Sequence, residues 1–193
     1  MPFTPLHYPV GYGLSKVDRR LSFPGLIVGS VIPDVEVLVL HFFFPNLLDH
    51  LVLHSLVGVL TLGTLLAVLV TRFLYPPIIS GLFGVDRELL DDACKITPSL
   101  ILSCMLGALF HVLVDIPMHW FNPVFWPWVD PLDIVGPLVI LFAFEGNIQL
   151  GYLRANVFLS AIMVILWLII LIRNRGENLW ERIWLGERPH SSD

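Results

Sequence analysis

Charge is what this sequence has least of. Asp, Glu, Lys and Arg make up 14% of its 193 residues, against about 25% in soluble chains. Hydrophobic residues make up 56% and the mean hydropathy is +0.80. So short a chain cannot bury that much apolar surface in a water-soluble globule, and lipid is the solvent that accommodates it. A clustered basic face is missing as well: 11 basic residues stand against 16 acidic ones, a net charge of -5. That excludes nucleic acid as a partner, because neutralising phosphates needs concentrated positive charge. Cysteine is nearly absent. Cys94 in a polar loop and Cys104 in an apolar run make no C-x-x-C pair, so neither a zinc-thiolate nor a redox motif is present. The start, MPFTPLHYPVGYG, lacks a basic head and a cleavage site and is expected to belong to the working protein. With no repeat or low-complexity tract, residues 1–193 are expected to form a single integral membrane domain. Within it, 1–20 form an amphipathic N-terminal segment, and 173–193 a polar tail with a short interfacial helix and disorder over ERPHSSD.

What is present is apolar sequence in runs of membrane-crossing length. Leu51 to Tyr75, Ser99 to Ile116 and Ala155 to Ile172 read as membrane helices. Phe23 to Phe44 is long enough to cross but carries Pro24, Gly25, Gly29, Pro33, Asp34 and Glu36. Its backbone is expected to break near the middle, which lipid tolerates only where the freed groups face protein or a wet cavity. Ile134 to Phe144 is short, and reads as tilted or re-entrant. The fold class predicted is therefore all-α, a polytopic membrane helix bundle of four to five membrane segments with one broken or re-entrant. Pro76 to Pro98 reads as an exposed loop holding one short helix. Pro117 to Asp133, with Trp120, Phe121, Phe125, Trp126 and Trp128, has the composition of an interfacial belt.

Two topologies compete. If Phe23 to Phe44 crosses, Lys16, Arg19, Arg20, Arg72, Arg87, Lys95, Arg173, Arg175, Arg182 and Arg188 share one side and Arg154 lies opposite. The positive-inside rule favours that layout, with both termini cytoplasmic. If the segment dips and returns, the asymmetry weakens, but His7 then meets the other candidate ligands on the cytoplasmic side, and the reading leans towards that arrangement.

The chemistry lies in four places. In HVLVDIPMH, His111, Asp115 and His119 recur every four residues, so on a helix they share one face. An acid at membrane depth costs about 2.5 to 3.5 kcal/mol on insertion scales and is kept mainly where something pairs with it. In HLVLHS, His50 and His54 are also four apart, a spacing that presents two imidazoles to a metal; His50, nearer the water, reads equally well as a structural histidine. In GSVIPDVE, Asp34 follows a proline in the middle of an apolar run, and Glu36, two residues on, points elsewhere on a helix. His7 stands alone in the N-terminal segment. Imidazole with carboxylate is the ligand set of zinc and other divalent ions in hydrolysis. His7, Asp34, His54, His111 and Asp115, with His119 in reserve, suffice for one or two ions, two being bridged by an aspartate.

The order MPFTPLH, GSVIPD, HS-x-x-G, then H-x-x-x-D-x-x-x-H followed by FNPVFWP, resembles small integral membrane proteins described as metal-dependent hydrolases, the family that includes the LexA-binding inner-membrane proteins. The likeness covers roughly residues 1 to 128 and implies a membrane-bound, metal-dependent hydrolase of the prokaryotic cytoplasmic membrane. A more distant similarity is to the zinc-dependent phospholipase C and nuclease fold. It implies that His7, Asp34, His54, His111, Asp115 and His119 are metal ligands and that Asp34 is a candidate base. That fold has a late H-x-x-x-E; here Leu141 stands four residues before Glu145, which argues for one or two ions rather than three.

The expectation is a hydrolase that cleaves a phosphoester or related bond of a membrane lipid with metal-activated water, zinc being the metal and Asp34 or Asp115 taking the proton. The alternative is a structural or assembly subunit, docked to other membrane subunits, that retains the fold without turnover. An ion or proton conduit is a third reading, opposed by the scarcity of polar residues between Leu56 and Val70, where only Thr61 and Thr64 occur.

Overall fold

The computed structural model describes residues 4–176 and 178–186. All its regular elements are helices: α1 (Tyr8–Val17), α2 (Phe23–Phe43), α3 (Leu56–Phe83), α4 (Arg87–Ala93), α5 (Pro98–Met118), α6 (Pro137–Phe142), α7 (Ile148–Asn174) and α8 (Leu179–Leu185). Four of them, α2, α3, α5 and α7, are long and apolar enough to cross a membrane. The expected break in α2 is a single 3-10 turn, Ile32–Asp34, at Pro33, and the helix continues beyond it. Ile134 to Phe144 yields only the short α6, about 9 Å long at 1.5 Å per residue.

The directions of the four long helices follow from their contacts. α2 and α5 run parallel: Gly25 lies on Leu100, Ser103 and Cys104, Gly29 lies on Cys104 and Ala108, and the Ser30 carbonyl reaches His111. α3 runs antiparallel to α5, with Val59 against Ala108 and Val112 and Thr71 beside Cys104 at 3.6 Å. α7 is antiparallel to α5 as well. Asn156 near its start donates to the Met118 carbonyl (3.1 Å), and Asn174 at its end donates to the Tyr12 hydroxyl (3.2 Å). Four alternating passes put α1, α4 and α8 at one end of the bundle. At the other end lie the 44–55 loop, the belt after Met118, and α6. The weaker, re-entrant topology towards which the sequence leaned is thus corrected: α2 traverses the bundle beside α5.

His7 still reaches the centre, and α1 explains how. It is a second layer folded back on α2, with Gly11 against Leu26 and Ile27. Its start therefore lies at the depth of Ser30 and Asp34, while Lys16 is back at the first end.

Helix boundaries extend beyond the apolar runs for local reasons. α3 begins at its N-cap Ser55, which accepts from the Gly58 amide, and passes Pro76 and Pro77. A π-helical turn over Val70–Leu74 precedes them, and the helix restarts with proline in its first turn, where the missing N–H is no loss. Gly84, at φ +67°, ends it. Cys94, expected in a polar loop, is fully buried with Tyr75, Leu90 and Leu100, and burial pushes its thiol up to about 12. The interfacial belt is as expected in exposing Trp120, Phe125 and Trp128, and the short helix of the tail is α8. The disorder expected over ERPHSSD falls outside the described residues.

Candidate metal centre

His7, Asp34, Glu36, His50, His54, His111, Asp115 and His119 are all buried. They arrive on five supports, with Glu36 on the α2 turn after Asp34. His7 opens α1. Asp34 closes the 3-10 turn that Pro33 forces into α2. His50 and His54 lie on the loop leading into α3. His111 and Asp115 are one turn apart near the end of α5, and His119 follows the 3-10 turn Ile116–Met118 in extended conformation.

The ring orientations are set from outside. His111 Nδ1 donates to the Ser30 carbonyl (2.8 Å) and His119 Nδ1 to the Asp115 carbonyl (2.9 Å). His54 Nδ1 donates to Glu36 (3.2 Å), and His50 Nδ1 to Asp49 (2.7 Å). Carbonyl and carboxylate oxygens only accept, so each of these rings carries a hydrogen on Nδ1 and turns its Nε2 inward. Burial holds the His119 imidazole down at about 4 and keeps His50 below its ordinary value. Both are thus in the neutral form that ligates metal.

The inward nitrogens face carboxylate oxygens. His111 Nε2 is 3.4 Å from Asp34 and 3.2 Å from Asp115; His54 Nε2 is 3.8 Å and 3.9 Å from the same two carboxylates. His7 reaches Asp115 at 3.1 Å through Nε2 and lies 4.0 Å from Asp34 through Nδ1. Donor atoms about 2.1 Å from a tetrahedral ion stand about 3.4 Å apart, and the separations bracket that value. Eight buried atoms here have no hydrogen-bond partner: His7 Nδ1, the Nε2 atoms of His50, His54, His111 and His119, both oxygens of Asp34, and Asp115 Oδ2. An unsatisfied buried polar atom costs about 1–3 kcal/mol. Eight together would cost about 8–24 kcal/mol, comparable with the whole stability of an ordinary domain, about 5–15 kcal/mol. A proton could serve one nitrogen–oxygen pair, but not five nitrogens and three oxygens round one centre; the donor set fits divalent metal.

Two groups of donors, each with its atoms within 4.8 Å of one another, could hold an ion: Asp34, His50, His54 and Asp115, and His7, His111 and Asp115. Asp115 belongs to both. Of the six ligands expected, five lie in these groups. His119 flanks them, its ring 4.9 Å from that of His50. His50, which the sequence left undecided, lies in the first of these groups. Glu36, set aside as pointing elsewhere, instead accepts from the amides of Leu51, Val52 and Leu53 and from His54. Glu36 does point away from Asp34, but towards the loop that carries His54, whose outer nitrogen it holds. A buried acid in an apolar run was the available signal.

A cavity of about 10 Å³ adjoins His50, His54, Asp115 and His119, room for about one water. It shares His50, His119 and Phe121 with a larger cavity of about 350 Å³.

Residues 8–185 match the family model of the YdjM inner membrane protein. The chain belongs to that family. No curated protein and no solved structure matches it. Membership and the four long apolar helices make this family member a membrane protein, of an inner-membrane family. The matched range holds every residue of the two donor groups except His7.

Proposed function

We propose that the protein is a metal-dependent hydrolase acting on a phosphoester. The observation that carries this reading is the inward-facing ring of unpartnered nitrogens and carboxylate oxygens beside a water-sized cavity. Asp34, His50, His54 and Asp115 would hold one ion, and His7, His111 and Asp115 a second, Asp115 belonging to both groups. Zinc suits this set of imidazole and carboxylate donors. Bound ions of this kind lower the pKa of water and stabilise charge on the transferred phosphoryl group.

The chain's own residues do the rest. Glu36, Asp49 and the carbonyls of Ser30 and Asp115 lock the imidazoles in the tautomer that leaves Nε2 free. Asp34 has two unpartnered oxygens, one to ligate and one to take the proton of the attacking water. The water oxygen bonds to phosphorus, the ester P–O bond breaks, and the proton passes from Asp34 to the leaving alkoxide. Burial of all these groups keeps bulk water from competing.

Elemental analysis of purified protein, alongside hydrolysis of bis(4-nitrophenyl) phosphate, tests the reading. About two equivalents of metal are expected, falling to about one in His7→Ala and to none in Asp115→Ala, since Asp115 serves both donor groups. Hydrolysis should disappear with Asp115→Ala. Metal retained in full by Asp115→Ala sinks the site; metal without turnover leaves the structural-subunit reading.

A further inference from the structure

The two ends of the bundle differ in charge. Among the described residues every Lys and Arg except Arg154 lies at the end shared by α1, α4 and α8. The positive-inside rule puts that end in the cytoplasm, so the histidine-bearing end faces the extracytoplasmic side. The larger cavity lies at that end. Leu47, Leu48, Trp120 and Phe121 line it together with the polar His41, Asp49, His50 and His119; His50 and His119 are each more than nine-tenths buried with Nε2 unpartnered. Beside it Phe42, Phe43 and Phe44 are exposed, Phe43 at 75%, and Trp128 in the neighbouring belt is exposed at 74%. Large aromatics in such numbers are not a water-facing rim; they are what an opening at the membrane interface presents. The volume suits a headgroup and its glycerol rather than a whole phospholipid.

We propose that this chamber admits a phospholipid from the extracytoplasmic leaflet, its phosphate ester reaching the His50–His119 wall while the acyl chains stay among the rim aromatics. Cleavage of that ester, and the hold of the wall on its phosphate, rest on the metal of the hydrolase reading, because bare Nε2 atoms only accept; the face and the apolar rim do not. A water-soluble phosphate ester would draw nothing from the aromatic rim, whereas a lipid buries its glycerol and upper chains against it; the half-exposed Asp49 carboxylate leaves the His50–His119 wall as the side that a phosphate can approach.

The test has two arms. Cys94 and Cys104 are fully buried, so Asp133→Cys and Asp92→Cys, both exposed and at opposite ends, can be probed with a membrane-impermeant maleimide in intact cells. Labelling of Asp133→Cys alone is expected, and labelling of Asp92→Cys alone overturns the assignment of the face. In the second arm the zinc-loaded protein sits in phosphatidylcholine vesicles containing a photoreactive phosphatidic acid. Crosslinks should map to residues 41–50 and 119–121, and Leu48→Trp should lower them about tenfold, equal to about 1.4 kcal/mol of binding. Crosslinks confined to the outer surface of α7, with none in the chamber, overturn the proposal even if bis(4-nitrophenyl) phosphate is still hydrolysed. Chamber crosslinks in a protein that hydrolyses nothing uphold the port and sink the hydrolase instead.

Discussion

Glu36 shows how much a single residue can do without touching a ligand. Its carboxylate gathers three successive amides of the 51–53 turn and the Nδ1 of His54, so it fixes both the path of the loop and the ring that the loop carries. Partners of this kind are worth about 10–100-fold in metal affinity. Glu36→Gln should therefore weaken zinc binding by about that factor while the helix content is retained, because the amide keeps one acceptor but turns an N–H towards donors. Competition against a chelating dye measures the affinity, and circular dichroism the helix content. An affinity unchanged within error would mean that the loop holds His54 by other means. Asp34, His111 and Asp115 were readable as candidate site residues because acids and imidazoles in an apolar run stand out. Glu36 and His50 were not, since whether they face the site depends on how the turn at Pro33 and the 44–55 loop are folded.

Among the elements, the parallel pair α2 and α5 decides the depth at which Asp34 meets His111 and Asp115. The two backbones touch through glycine. A Cβ on Gly107 would run into the Leu26 carbonyl oxygen, and one on Gly29 into that of Cys104. Close approach through small residues is a common way for membrane helices to associate. Gly107→Val must push α5 away from α2, and a loss of about 1–3 kcal/mol or more is expected from such overpacking. The readout is a lower melting temperature in detergent, with loss of the monodisperse peak on size exclusion. Gly13→Ala is the contrast: nothing lies within 4 Å of its Cβ, and in α1 the change should be neutral or stabilising by about 0.4–1 kcal/mol. Equal melting temperatures for the two variants would refute the packing argument. The hydropathy of α2 and α5 announced two helices, but not that they run side by side in the same direction.

Across the whole molecule, the donor groups tie together segments from residue 7 to residue 115, drawn from α1, α2, the 44–55 loop and α5. Ions held there would act as a clasp between the N-terminal layer and the bundle. A ligand that binds only the folded state at 1,000 times its dissociation constant stabilises by about 4.1 kcal/mol. Removing metal with a chelator should lower the melting temperature by several degrees, and zinc should restore it. In His7→Ala the chelator-induced shift should shrink, because one donor group loses its link to α1. A melting temperature indifferent to chelator in the wild-type protein would show that the buried acids and imidazoles satisfy one another.

The membrane class, the all-helical fold with four to five apolar segments, and most of the candidate site residues could be read from the sequence alone. Hydropathy and the cost of buried charge are properties of a residue and its near neighbours, and they survive any arrangement of the helices. What only the tertiary structure decided is how His7 reaches the site although α2 crosses. α1 folds back along α2 and brings its first turn to the depth of Asp34, a fact that depends on contacts between Gly11 and Leu26 and on no local pattern. The same holds for the pairing of Asp115 with both donor groups and for the end of the bundle at which the chamber opens. These are set by the relative direction of packed helices, which sequence periodicity does not encode.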